Sequence, residues 1–241
     1  MRVDIPIIKG KEGKRRQKKV TCQGGGNMAK KYENPAGKAN RASEKGGKKQ
    51  QWKPGNMLYP LPAVLVTAAD KKGRDNIITV AWTGTVCTNP PMVYISIRPE
   101  RYSYHMIEET GEFAINLTTE ALAAATDYCG VKSGREVNKF QELHLTRQRA
   151  SEISAPLIGE SPVNIECRVK ECRKLGSHHM FLADVVCIHV SEEYIDKNGT
   201  FCLQQAKPIA YSHGSYFSLG KAIGTFGYSI RKKRKSKKKR E

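Results

Sequence analysis

The sequence predicts a mainly β fold of the α+β kind, a small barrel of antiparallel strands with short helical insertions. Three observations predict it. Short runs rich in Val, Ile, Thr and aromatic residues are bounded by Gly, Pro, Asn and Asp clusters, the pattern of strands and turns. Two longer strand-like runs, "VNIECRVKECRKLG" and "HHMFLADVVCIHV", meet near Gly176 and Ser177. No βαβ rhythm, no G-x-G-x-x-G after a strand and no G-x-x-x-x-G-K-[ST] occurs, which sets two standard nucleotide folds aside.

In chain order, Ala63 to Ala69 read as a strand and "DKKGRDN" as the turn after it. Ile77 to Val86 read as the second strand of a hairpin, and "MVYISIRP" as a third strand, closed by Pro99. "SYHMIEETG" has a serine at its start, acidic residues within and Gly111 at its end. It predicts a short helix capped by Ser103. "EFAINL" is a strand, and "TTEALAAATDYCG" an alanine-rich helix with Gly130 after its end. "GREVNKF" adds one helical turn. The two long strands follow, and "PIAYSH" closes the set.

The formal charge of +19 is uneven along the chain. Residues 1–56 hold 16 Lys/Arg against 4 Asp/Glu, and residues 231–241 hold 9 against 1. Residues 57–230 hold 17 against 18, so the folded part is neutral. Three parts follow: a basic N-terminal extension (1–56) too poor in apolar residues to order itself, the domain (57–230) and a polybasic tail (231–241). Three glycines stand two residues before Met28 in "CQGGGNMAKK". Glycine codons begin with GG, so a purine-rich ribosome-binding sequence would translate to such a string. Either Met28 is the native start, with residues 1–27 outside the native protein, or residues 1–27 are an ordinary flexible basic leader.

Seven cysteines, an odd count without regular spacing, point to reduced thiols in a cytoplasmic protein. No apolar run approaches the roughly 20 residues of a membrane span.

The candidate site begins in "IITVAWTGTVCTNPP". Side chains alternate faces along a strand. One face then carries Thr79, Ala81, Thr83 and Thr85, small and rich in hydroxyls. The other carries Ile78, Val80, Trp82 and Val86 and suits a barrel interior. The first face makes either an ordinary solvent-facing strand or a shelf for a flat, polar-edged ligand. Downstream, "IRPERYSYHMI" puts Arg98, Arg101 and Ser103 at the start of a helix. Free amides, a positive dipole end and guanidinium groups together bind phosphate there. A flat ring, a hydroxylated chain and a terminal phosphate would use both places, and flavin mononucleotide (FMN) has that form.

The blocks "NIITVAWTGTVCTNPPMVYISIRPERYSYHMIEETGEFAINL", "DYCGVKSGREVNKF" and "GSHHMFLADVVCIHV", with the terminal "SYFSLGKAIGTFGYSIRKK", resemble the flavin reductase-like proteins of the FMN-binding split-barrel group, close to flavoredoxin. The resemblance spans about 57–230. It implies a Greek-key split β-barrel, a homodimer, FMN near the dimer interface, and NADH or NADPH as electron donor. A flavoredoxin-type carrier reduced by a redox partner protein is the alternative. It further implies Thr79, Ala81, Trp82 and Thr83 along the ring and ribityl chain, and Arg98, Arg101 and Ser103 at the phosphate. Cys129 and Lys139 border the site. His178 is either a nicotinamide contact or a structural strand-end histidine, and Ser177 stands where the group's pattern has an acidic residue. No general base is assigned, because hydride transfer to a flavin asks for positioning.

Two other readings carry less. Cys167, Cys172, His178 and His179 are metal-ligand types, yet Cys167 and Cys172 fall on opposite strand faces unless a bulge intervenes, and no common zinc spacing matches. No metal is expected. The tail "RKKRKSKKKRE" suits non-specific contact with a nucleic-acid backbone, but it lacks interleaved aromatics and is not the expected main function.

Overall fold

The computed structural model describes residues 47–231. The Met28 start and the polybasic tail beyond Arg231 therefore lie outside the described residues. The chain divides at Pro54/Gly55, and among the described residues all regular elements belong to the second unit.

The strands, in chain order, are β1 (Leu61–Pro62), β2 (Val64–Ala69), β3 (Asp75–Val80), β4 (Thr83–Thr88), β5 (Pro91–Ile97) and β6 (Glu112–Asn116). After them come β7 (Arg147–Gln148), β8 (Leu157–Ile158), β9 (Val163–Lys174), β10 (His179–Val190), β11 (Ile209–Ser212) and β12 (Ser215–Ser218). Three α-helices intervene: α1 (Tyr102–Thr110), α2 (Ala123–Val131) and α3 (Lys139–Glu142). Seven strands form one antiparallel sheet in the order β3-β2-β6-β9-β10-β5-β4. β3 and β4 are successive in sequence yet form its two edges. The sheet must curl so that these edges approach, and the opening between them is the split of the barrel. There the Ser96 N–H donates to the Trp82 carbonyl at 2.8 Å.

The inside of the curl holds Val66, Ile78, Val80, Ile95, Ile97, Phe113, Ile115 and Phe181, all buried, with Tyr104, Met106 and Ile107 of α1 packed among them. A second apolar layer covers the outside of β2 and β3, where Leu65 and Ile77 meet Cys129 of α2 and Phe140 of α3. Burying each such aliphatic or aromatic side chain is worth about 1.5–3 kcal/mol.

The structure corrects four expectations. Ile77–Val86 is not one strand: β3 ends at Val80, the chain bends at Ala81–Trp82, and β4 begins at Thr83. The bend resets the alternation, so Thr83 is buried with its hydroxyl donating to the Tyr94 carbonyl at 2.6 Å, while Val86 is exposed. Both faces of β3 are covered, which is why neighbouring Ile77 and Ile78 are both buried. Ser103 does not cap α1. Arg101 occupies the cap position without a side-chain bond, and Ser103 lies fully buried within the helix, where its hydroxyl accepts from Asn76 Nδ2 at 2.8 Å. Gly130 sits inside α2, which runs on to Val131. β12, absent from the sequence expectation, pairs with β11 through Tyr211↔Tyr216.

Other expectations match the elements found. β2 and β3 form a hairpin whose turn is organised by Asp70, with the amides of Lys72 and Arg74 donating to its carboxylate and Gly73 at φ +78°. Gly111 closes α1 in the left-handed conformation. Of the expected turn "GREVNKF", only Lys139 and Phe140 are helical, in α3, which Asn138 caps by accepting from the Gln141 amide at 3.2 Å. β9 and β10 form the long hairpin about Gly176.

Candidate functional site

A trough runs from the split of the barrel toward the start of α1. It is built from three hollows that share residues. The first, about 490 Å³, has Arg98 and Arg101 ahead of α1, the α2–α3 loop residues Lys132, Ser133 and Arg135, and Lys139 at its back. Five cations therefore face Glu100, the one carboxylate on its wall, and among the described residues neither Arg98 nor Arg101 forms a salt bridge. The α1 N-terminus opens here through Tyr102. Amides, helix dipole and guanidinium groups favour an anion at this place.

The second hollow, about 130 Å³, lies in the split itself and shares Ile78, Arg98 and Arg101 with the first. Thr79, Ala81 and Trp82 form one wall, the end of β5 another, and His178 a third. The third hollow, about 390 Å³, continues past Thr79, Ala81 and Trp82 to Tyr59, Tyr211 and Tyr216. The bend at Ala81–Trp82 thus belongs to both.

Lys139 is almost fully buried. Its Nζ donates to the carbonyls of Ile77 at 2.6 Å and Cys129 at 2.9 Å, tying β3 to α2 with two of its three N–H donors. Burial lowers its pKa, offset in part by the Cys129 thiol and reinforced by Arg101. Burial also pushes the Cys129 thiol up to about 11, against the nearby Lys139 charge, so Cys129 is a protonated thiol at neutral pH. His178 has its pKa lowered, first by burial and then by the Arg98 charge. Its ring is neutral at neutral pH, lies 4.1 Å from that of Trp82, and has Nδ1 3.0 Å from the Ser177 hydroxyl.

Eight of the residues expected from the sequence line the trough: Thr79, Ala81, Trp82, Arg98, Arg101, Cys129, Lys139 and His178. Thr83 and Ser103 do not, because both are turned into the protein. Thr79 has its hydroxyl engaged as a donor to the Thr126 carbonyl, so it offers a ligand only its acceptor lone pairs. The hydroxylated shelf is therefore narrower than the sequence suggested.

Sequence reading missed Asn76 and the "KSGR" loop, Lys132 to Arg135. The signal was present: a glycine among basic and hydroxyl residues immediately after a helix. Gly134 is required because an added Cβ would lie 2.6 Å from Tyr102 Cδ1 and closer still to Asn76 Oδ1. Arg135 stacks over the Tyr102 ring at 5.4 Å and donates to the Glu100 carbonyl at 3.2 Å, which fixes the loop at the rim.

Of the metal-type residues weighed above, Cys167 is buried and Cys172 exposed, with a bulge between them. Among the described residues they do not form a metal-type cluster with His178 or His179.

Residues 57–220 match the family described as flavin reductase like domain. Flavoredoxin of Desulfovibrio vulgaris (Miyazaki F) is 27% identical, with a TM-score of 0.71 over 76% of this chain and 100% of that one. An FMN-binding protein from Thermus thermophilus, 21% identical, shares the fold with a TM-score of 0.62 over 75% and 99% of the two chains. An uncharacterized protein of Archaeoglobus fulgidus is 30% identical over 70% of this chain and 89% of its own length. An Aeropyrum pernix relative at 30% identity is matched over 64% of this chain and only 58% of its own length.

Proposed function

Because this chain belongs to the flavin reductase like family, we propose that it is an oxidoreductase binding FMN in the trough. The observation that carries the reading is the five-cation hollow opening directly into the split beside Trp82. The donor set fits the cofactor. Arg98, Arg101, Lys132, Arg135 and the α1 amides suit a phosphate, and the continuous space along Thr79–Trp82 suits a flat ring and a polar chain.

When bound, the flavin supplies the hydride and one-electron chemistry. The protein's residues bind and orient. Arg98 and Arg101 border both the phosphate hollow and the split, so they fix the distance between the two ends of the ligand. Lys139 keeps β3 and α2 in register and adds positive charge behind the phosphate. Trp82 and neutral His178 cover one end of the split and limit water there. A hydride donor needs its reactive carbon about 3–3.5 Å from the acceptor atom, and positioning meets that need without a general base. NADH or NADPH is the donor in this reading.

A flavoredoxin-type carrier, reduced by a partner protein, is the second reading. It is favoured by Ser177 at the expected acidic position and by the flavoredoxin similarity. We place the protein in the cytoplasm as a homodimer, consistent with the exposed Leu219, Ile223, Phe226 and Ile230 after β12, apolar surface that a second copy would cover. The basic flanks are appendages to domain 57–230, able to touch nucleic-acid backbones non-specifically.

The test is the visible spectrum after FMN loading and desalting, for wild type and for Arg98→Ala/Arg101→Ala. Flavin bands kept by the first and lost by the second support the site, and a colourless wild type that also fails to oxidise NADH or NADPH with excess free FMN rejects it. Turnover with the nicotinamides selects the reductase, and reduction only by a protein donor selects the carrier.

A further inference from the structure

The second half of the β9–β10 hairpin carries a cluster that takes no part in the trough. Cys187 and His189 are alternate residues of β10 and share a face. Glu166 of β9 stands directly across from Cys187. That pairing depends on a bulge. The register runs Val185↔Cys167 and then Cys187↔Glu166, leaving Val186 as the extra residue. Without it, Glu166 would oppose Val186, and Cys187 would fall on the other face. The irregularity thus brings a carboxylate, a thiol and an imidazole together.

Their atoms converge on one point. His189 Nε2 lies 2.6 Å from Glu166 Oε1, 3.5 Å from Cys187 Sγ and 3.5 Å from Ser151 Oγ. A nucleophile relay would use both ring nitrogens, the carboxylate on one and the nucleophile on the other. Here the ligand atoms of Glu166, Cys187 and His189 all lie within 4.8 Å of one another, as donors around a shared ion do. Tetrahedral zinc with its usual bond lengths separates S from N by about 3.6 Å and O from N by about 3.3 Å. The first separation already stands. The second needs an opening of about 0.7 Å, which the His189 side chain, 36% exposed, is free to make.

We propose that Glu166, Cys187 and His189 form a Zn²⁺ site, with water beside the Ser151 hydroxyl as fourth ligand. The mixed thiolate, imidazole and carboxylate set is one zinc accepts. Glu166 stays anchored while it ligates, since the amides of Ser151 and Glu152 donate to its oxygens at 2.8 and 2.7 Å. On binding, the Cys187 thiol proton passes to solvent and His189 ligates through unprotonated Nε2. The metal pins the segment around Ser151 and Glu152 to the hairpin.

The test uses the full chain, stripped with chelator and titrated with Zn²⁺ against a chromophoric competitor, and separately with Co²⁺. One Zn²⁺ per chain is expected, and a Co²⁺ spectrum with a thiolate charge-transfer band and intense tetrahedral visible bands. Cys187→Ala removes the thiolate band and weakens Zn²⁺ by at least about tenfold. Cys172→Ala, at an exposed thiol of the same hairpin, leaves both intact. Unchanged near-ultraviolet circular dichroism of the metal-free variants separates a lost ligand from a lost fold. Sub-stoichiometric uptake, a cobalt spectrum without thiolate character, or binding unaltered in Cys187→Ala overturns the site.

Discussion

Trp82 and His178 face each other across the split with ring centroids 4.1 Å apart and planes tilted by 47°. One belongs to the bend between β3 and β4 and the other to the turn before β10, so the contact reports on the mouth of the trough. Burial, and next the Arg98 charge, hold the His178 imidazolium below its ordinary range. In a Trp52→Phe background, which leaves Trp82 as the sole tryptophan, fluorescence should titrate with a midpoint below about 6.5, the ordinary histidine value. His178→Gln removes the titration. Arg98→Ala raises the midpoint, because a cation disfavouring the charged ring is gone. A midpoint at or above the ordinary value contradicts the arrangement.

Arg98 and Arg101 should each contribute more to FMN than to riboflavin, which has no phosphate. Replacing either with alanine lowers FMN affinity by about tenfold to a hundredfold, the range for a hydrogen bond to a charged group. Riboflavin affinity falls less, since it has no phosphate for these residues to hold, although both also border the split. Flavin fluorescence titrations read both. An equal loss for the two ligands would remove the phosphate from the first hollow.

Lys139→Met should cost about 1–3 kcal/mol of unfolding free energy, because the carbonyls of Ile77 and Cys129 lose their donor inside the protein. Urea melts measure it. Retained stability would mean that water replaces the ammonium group.

Two glycines should respond in opposite ways. Gly134→Ala drives a methyl into Tyr102 and Asn76, costs about 1–3 kcal/mol and displaces the flavin. Gly130→Ala places its methyl 3.4 Å from Thr79 Cβ, an ordinary contact, and adds about 0.5 kcal/mol through helix propensity. Thermal melts of the two variants rank them against wild type.

Cys129 should resist alkylation in the native protein. With its thiol pushed to about 11, the thiolate fraction at pH 8 is about a thousandth. Iodoacetamide labelling mapped by mass spectrometry should mark exposed Cys172 and leave Cys129 unmodified until denaturant is added.

β2, β5, β6, β9 and β10 were legible because each carries enough local pattern, apolar residues between turn signals, to declare itself. The break at Ala81–Trp82 was not legible. No glycine or proline marks it, and its cause is tertiary: β3 must pair with β2 and β4 with β5, on opposite edges of one sheet. The same cause turned Thr83 inward. Ser103 misled because serine is a favoured cap, yet the Asn76 amide gives its hydroxyl a partner two residues inside the cap position. In the site, the guanidinium pair was readable from charge ahead of a helix. The Lys132–Arg135 loop carries a local signal, a glycine among basic and hydroxyl residues after a helix, but its place at the site depends on α2 packing across β3.

Joining the first and last edges of a seven-stranded sheet through only two residues also sets an order of events during folding. Ala81 and Trp82 are adjacent in the chain, but the cleft they wall exists only after the intervening strands have paired, some across long loops whose closure costs entropy before any contact repays it. Flavin uptake is then a late milestone, trailing the recovery of β-structure when the chain refolds. A cofactor held at this seam captures the finished topology and no partial one, so it lowers the population of open-edged chains whose unpaired β3 and β4 would otherwise recruit one another.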